Sequence, residues 1–342
     1  MELPKDQSVD IGLLSAVFNN TTATYKFYWF LAIIESVEEG KAEIEKHELF
    51  ARMIANAWYT VNYFHLSFGK HDKIQDAVEA IKRIESFDID VKKKDLLNKI
   101  LKSDSKEITR NLSHFNANVP HKFLSPWLGS HSEKDMYSMS QENVNLPLYA
   151  LYADRIVIQP AWYEYLRKNS GFLKDFCFWN LTLFLQVRNP NVPNIPNKLK
   201  QPEKRGSLSA HKRNFWDLVL TECGVDCIYT AKKLELGAYD VEHFIPFQFL
   251  SHDQMWNLIP ADPSFNSKKG DKLPDLDKYF TGFYNIQENA VNYIKRVKPN
   301  NPFLEDYLYF FQDLQLSKEK YREQLQPLIA IAHNNGFQFM KS

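Results

Sequence analysis

The 342-residue chain has little cysteine, no surplus of charge of either sign and no apolar run of membrane length. Each of these absences excludes something. Cys177, Cys223 and Cys227 are too few for a disulfide framework. Cys223 and Cys227 stand four apart, but a zinc site would need a second pair of ligands like them, and none follows. They read as small apolar residues near a strand. Lysine plus arginine and aspartate plus glutamate number 42 each, so overall charge gives no argument for a nucleic-acid partner, which would have to be met by a local patch. The most apolar run, YKFYWFLAII at residues 25–34, is far short of the roughly 20 residues that a membrane span requires. The opening MELPKDQSVD lacks the basic start and apolar middle of a signal peptide. These features lead us to expect a soluble, cytoplasmic protein of a reducing compartment, with no membrane partner.

What the chain does have is material for packed cores, with 44% hydrophobic and 14% aromatic residues over a length that suggests two or three domains. Residues 25–37 are apolar on nearly every face, with Asn19 to Thr22 offering caps and Gly40 a stop, which predicts a helix central to its domain. Its aromatic stripe, Tyr25, Phe27, Tyr28, Trp29 and Phe30, reads as core rather than as a base-stacking platform. Residues 48–68 carry Phe50, Met53, Ile54, Trp58 and Val61 at helical spacing, and shorter helices follow at 73–84, 93–101 and 106–112. Residues 113–145, rich in His, Ser, Asn and Pro, read as a long loop region. A hairpin turning near Asp154 is expected over 149–158, then helices over 162–167 and 173–187. Pro190, Pro193, Pro196 and Pro202 break up residues 189–206 and mark the main boundary. The fold expected is mainly α with a small α+β unit. It comprises a helical domain over 1–188, a linker over 189–206, an α+β core over 207–280 and a C-terminal helical extension over 281–342. There is no internal repeat.

The chemistry concentrates in YDVEHFIPFQFLSHDQMWNLIPADPSFNSKKGDKLP, residues 239–274. Residues 239–244 alternate as a short strand that Pro246 ends, and residues 256–259 form a second strand candidate. Asp262-Pro263 is a capping carboxylate followed by proline at the first helical position, and Gly270 ends that helix quickly. Residues 226–230 suggest a further strand upstream. A strand bearing Glu242 and His243 and a helix bearing Asn266 could pinch a divalent cation, since carboxylate and amide oxygens suit a hard ion such as Mg²⁺. Neighbouring strand residues point to opposite faces. This divides the labour, with Glu242 as ligand and His243, whose ordinary pKa lies near neutrality, as the base for water.

This order of strand, loop, strand and helix resembles the HNH endonuclease family and its ββα-metal core. The residues that carry the resemblance are Glu242-His243-Phe244-Ile245-Pro246, Asn257-Leu258 and Asn266-Ser267-Lys268-Lys269-Gly270-Asp271. The closest flavour is the cysteine-poor type found in the HNH domain of RNA-guided CRISPR effector nucleases, and the likeness covers about residues 205–280. The resemblance implies a metal-dependent endonuclease cutting DNA with one divalent ion, Mg²⁺ first and Mn²⁺ or Ni²⁺ as alternatives, in a bacterial or phage-defence setting. It implies His243 as general base, Glu242 and Asn266 as metal ligands, Asn257 as the brace that aims the histidine, and Lys268 and Lys269 on backbone phosphate. Glu242 departs from the aspartate or histidine that many members carry at its position.

Lys198, Lys200, Lys204, Arg205, Lys212 and Arg213 form a basic cluster just before the motif. It reads either as a solvated flank or as a phosphate-contacting rim, with Lys204, Arg205, Lys212 and Arg213 the nucleic-acid candidates. His252 reads as a solvated loop residue, with an accessory contact to metal or phosphate as its alternative. Two other functions stay open, an RNase using the same site and a non-catalytic assembly subunit. The N-terminal helical domain is expected to supply contacts to a protein partner or to a second copy.

Overall fold

The computed structural model describes residues 2–201 and 207–341. The protein is mainly α-helical with two small sheets, and its chain divides into two compact units, Met1–Pro190 with Ile195–Pro202 and Asn191–Asn194 with Glu203–Ser342. No helix among the described residues is long and apolar enough to cross a membrane.

The first unit is built around helix α1, Tyr25–Glu38, in which every residue from Phe27 to Ile34 is at most 1% exposed. A helix apolar on all faces has to be covered on all faces. Helices α2, Lys46–Asn62, and α3, Pro160–Arg188, pack on it. The cap is not the one expected from residues 19–22. Thr24 is the N-cap residue, and its amide and hydroxyl both donate to buried Asp72, at 2.6 and 2.8 Å. The other oxygen of Asp72 accepts from Ile74 N at 3.0 Å and caps the helix Lys73–Glu85, so one carboxylate ties two helix starts together. Helix α3 joins the two segments read separately, with a kink at Asn169.

The expected hairpin is present as β2, Tyr149–Leu151, and β3, Arg155–Ile158. A strand not foreseen, β1, Glu43–Glu45, pairs with the far edge of β3 and gives the sheet order β1-β3-β2. Ile44, 1% exposed, is its only apolar residue, too little pattern to announce a strand. Residues 113–145 are not a loop region. They form a 3-10 turn, His114–Ala117, and short helices Pro120–Phe123, Ser125–Leu128 and Glu133–Gln141. Pro120 and Pro126, read as breakers, stand in the first turns of their helices, where a missing N–H costs nothing. Buried Phe115, Val119, Phe123, Leu124 and Trp127 hold these turns on the core.

In the second unit, a continuous helical stretch over 209–223 changes register in a π segment, Lys212–Trp216. The strand expected over 226–230 is instead a tight turn, closed by Cys227 N to Lys232 O and Ala231 N to Cys227 O, both 2.8 Å, with one isolated bridge between Asp226 and Lys233. Strands β4, Asp240–His243, and β5, Leu258–Ala261, pair antiparallel, with Glu242 opposite Ile259 and His243 opposite Leu258. Helix α4, Pro263–Lys269, follows directly, capped by Asp262, which accepts from Ser264 N and Phe265 N, and ended by Gly270 at φ +54°. Two longer helices close the unit, α5, Leu276–Val297, and α6, Lys318–Asn334, with a 3-10 segment, Pro302–Tyr309, between them. They reach the segment ahead of β5. Gln287 on α5 donates to Met255 O at 3.3 Å and to Leu258 O at 2.8 Å, and the Tyr321 hydroxyl on α6 donates to Trp256 O.

Candidate functional site

The site is assembled from β4, the loop that leaves it, and α4. Alternation along β4 places Asp240 and Glu242 on one face and Val241 and His243 on the other. Both acidic side chains meet α4. Asn266 Nδ2 donates to Asp240 Oδ2 at 3.1 Å, and the Lys269 ammonium pairs with Glu242 Oε1. Residues 266 and 269 lie three apart, so they share a helix face.

The Glu242 carboxylate is deeply enclosed, with its side chain only 2% exposed and that of Lys269 only 1%. Burial pushes the Glu242 carboxyl above the ordinary carboxylate value, opposed by the Lys269 charge and by hydrogen bonds from Lys269 and Tyr229. Tyr229 donates its hydroxyl to Glu242 Oε2 at 3.1 Å and stacks on Phe265 of α4, with ring centres 4.4 Å apart and planes 11° from parallel. Burial, and next the Glu242 charge, push the Tyr229 hydroxyl well above its ordinary value. Lys269 also donates to the main-chain oxygen of His243 at 2.8 Å, so it reaches both the carboxylate and the backbone of the histidine.

This corrects the place assigned to Lys269. Its ammonium does not face outward to a phosphate; it is buried and engaged inside the ββα unit. Lys268, one residue earlier and on another face, is exposed.

His243 is 6% exposed, and its Nε2 lies 2.8 Å from Asp253 Oδ1. An ionised carboxylate only accepts, so Nε2 is the donor in this pair. Phe247 packs on the ring edge-on, with centres 5.5 Å apart. The backbone that carries the ring is fixed from three directions. Asn257 is 0% exposed and bonds both polar groups of Ile245, accepting from its N–H and donating to its C=O, each at 2.8 Å. Phe244 N donates to Asn257 O at 2.8 Å, and Lys269 takes the His243 carbonyl. One amide side chain thus bonds both polar groups of the residue two past the histidine.

Three partners escaped the sequence reading. Asp240 could have been found by counting two back from Glu242 along the strand. Tyr229 stands in the turn mistaken for a strand, and Asp253 lies ten residues from His243 across an irregular loop, with no periodicity to flag either one. His252 accepts from Gln254 N at 3.4 Å through Nδ1, and its ring lies 5.3 Å from Trp256.

The basic cluster divides between the two units. Lys198 and Lys200 belong to the first unit, Lys212 and Arg213 to the second, and Lys204 and Arg205 lie outside the described residues. Lys198 is 0% exposed, and burial pushes its amine down to about 7. Lys212 is committed to the carbonyl of Tyr239 and lies over that ring, 4.1 Å from its centre. Arg213 is exposed.

Among the described residues no three His, Cys, Asp or Glu side chains gather as a cation cage. The donors present still fit a hard divalent ion. Carboxylates from Asp240 and Glu242 and the amide of Asn266 line the seam between β4 and α4. A stand-in cation, the Lys269 ammonium, already sits against Glu242. Oxygen donors of this kind suit Mg²⁺, which keeps much of its water and takes few protein ligands.

Comparison with curated proteins and with solved structures finds no match. A family model does match, over residues 227–275, which span the Tyr229 turn, both strands and α4. The geometry and the match coincide on the same stretch, and this part of the chain matches the family of HNH endonucleases.

Proposed function

We propose that the protein is a metal-dependent endonuclease that hydrolyses phosphodiester bonds in DNA, with His243 as general base, in the bacterial or phage-defence setting that the resemblance implies. The observation that carries this reading is the His243–Asp253 pair at 2.8 Å on a backbone held by Asn257 and Lys269. Asp253 accepts the hydrogen bond from Nε2, orients the ring and would steady the imidazolium that forms once a proton has been taken from water. Glu242 and Asn266, with Asp240 beside them, would hold the ion, Mg²⁺ in the first place. When bound, the ion would supply positive charge to the scissile phosphate and its leaving oxygen. Exposed Lys268 and Arg213 would meet backbone phosphates and make binding salt-dependent. A single site of this kind nicks one strand.

The test is cleavage of plasmid, linear and single-stranded DNA, and of matched RNA, by the purified full chain with Mg²⁺, Mn²⁺ or Ni²⁺. The expected outcome is Mg²⁺-supported nicking of DNA that falls by about 10²- to 10⁴-fold in His243→Ala, with circular dichroism and DNA binding unchanged. Cleavage of RNA alone would replace DNA as substrate. DNA cleavage as fast in His243→Ala as in the wild type would remove the histidine from its role.

A further inference from the structure

We infer that Lys269 is a built-in counter-cation that occupies the cation position at Glu242, so a divalent ion binds there only as the ammonium withdraws. This rests on the reading of Glu242 as a metal ligand. The Lys269 ammonium takes a carboxylate oxygen of Glu242 and the main-chain oxygen of His243, the latter at 2.8 Å. Those are the oxygen types that hard divalent ions take. The pair is sealed, with both side chains at most 2% exposed and Tyr229 fixing the second carboxylate oxygen at 3.1 Å. Two cations cannot share one carboxylate at such depth, because their repulsion grows as the surrounding dielectric falls. Binding the ion and keeping the internal pair are therefore alternatives.

The structure also supplies room for the exchange. Lys269 is the last residue of α4, and the next residue, Gly270, is at φ +54° with no atom within 4 Å of the place where a Cβ would stand. The space beside Gly270, directly after Lys269, is therefore open. Once released, the ammonium comes free near exposed Lys268, where a substrate phosphate is its natural new partner. In this account Lys269 is a positioning residue in the resting state, holding Glu242 and the His243 backbone, and it becomes a phosphate contact only after the ion has entered.

The experiment is a calorimetric titration of Mn²⁺ into the full chain as wild type, Lys269→Met, Lys269→Gln and Glu242→Gln, with melting temperatures recorded over the same Mn²⁺ range. Lys269→Gln serves if Lys269→Met does not fold. The expected result is binding at least about tenfold tighter in the Lys269 variants than in the wild type, a melting temperature that climbs more steeply with Mn²⁺ in those variants, and loss of the site in Glu242→Gln. Wild-type affinity in the Lys269 variants, with loss in Glu242→Gln, would overturn the exclusion and leave the metal reading standing. Absence of any Glu242-dependent Mn²⁺ binding in all four proteins would overturn both.

Discussion

The most enclosed segments of the two units carry different groups. At the centre of the first lies α1, whose run from Phe27 to Ile34 is apolar and at most 1% exposed. At the centre of the second, a comparable depth is given to Glu242, His243, Asn257, Lys269 and Gln287, none more than 6% exposed. An apolar interior needs only shape, whereas a polar one needs every donor matched to an acceptor, because an unmatched group at that depth forfeits its hydration. Such a costlier arrangement, here spread over 46 residues from Glu242 to Gln287, is expected where groups have a use beyond packing.

Substitutions can break that comparison. The largest effect on stability is expected from Lys269→Met, which strands the buried Glu242 carboxylate. Unfolding in urea should show a loss of about 3–5 kcal/mol, and combining it with Glu242→Leu should recover a good part of that loss. If the single variant cost no more than a surface change, the pair would not be the keystone described. Leu31→Ala in α1 should cost about 2–5 kcal/mol by leaving a cavity, yet the cleavage rate per folded molecule should stay at the wild-type level. A rate that fell along with stability would tie the apolar unit to the chemistry.

The smallest effect sharpens the contrast from the other side. Lys198 is a cation buried in the first unit, and burial pushes its amine from an ordinary value of 10.5 down to about 7. Between those values the unfolded chain holds one proton more than the folded one, so stability rises with pH, by up to about 1.4 kcal/mol per pH unit. Below about 7 both states carry the charge and the folded state bears the full penalty. Lys198→Met should flatten the rise between pH 7 and 9 in urea unfolding, and a wild-type slope unchanged by the substitution would show that the amine keeps its charge.

What the sequence disclosed depended on how local the cause was. Helices with a continuous apolar stripe, such as 25–38, 73–85 and 93–102, were legible within a residue or two, because the stripe and the caps lie in the segment itself. The short helices within 113–145 were not, because composition there says loop and only burial against the rest of the first unit makes them helical. At the site, spacing alone picked out Glu242, His243, Asn257 and Asn266 as candidates, and β5 was placed two residues early because the 3-10 turn Met255–Asn257 takes up its start. Asp253 was not legible, since its meeting with His243 is made by an irregular loop. Lys268 and Lys269 looked interchangeable in the sequence. On a helix of seven residues, one step of about 100° decides which lysine is solvated and which is interred, and the three-residue offset from Asn266 is the clue that separates them.

Gln287, Tyr307 and Tyr321 lie beyond residue 275, where the family match ends, yet Gln287 and Tyr321 supply the donors to the carbonyls of Met255, Trp256 and Leu258. Tyr307 locks Gln287 in place from the side. Trimming the polypeptide at the border of the match would therefore leave the stretch that carries Asn257 bare on the side where it is now covered. The smallest piece worth expressing on its own runs to the end of α6, and a catalytic module defined by homology alone would be cut too short to stand.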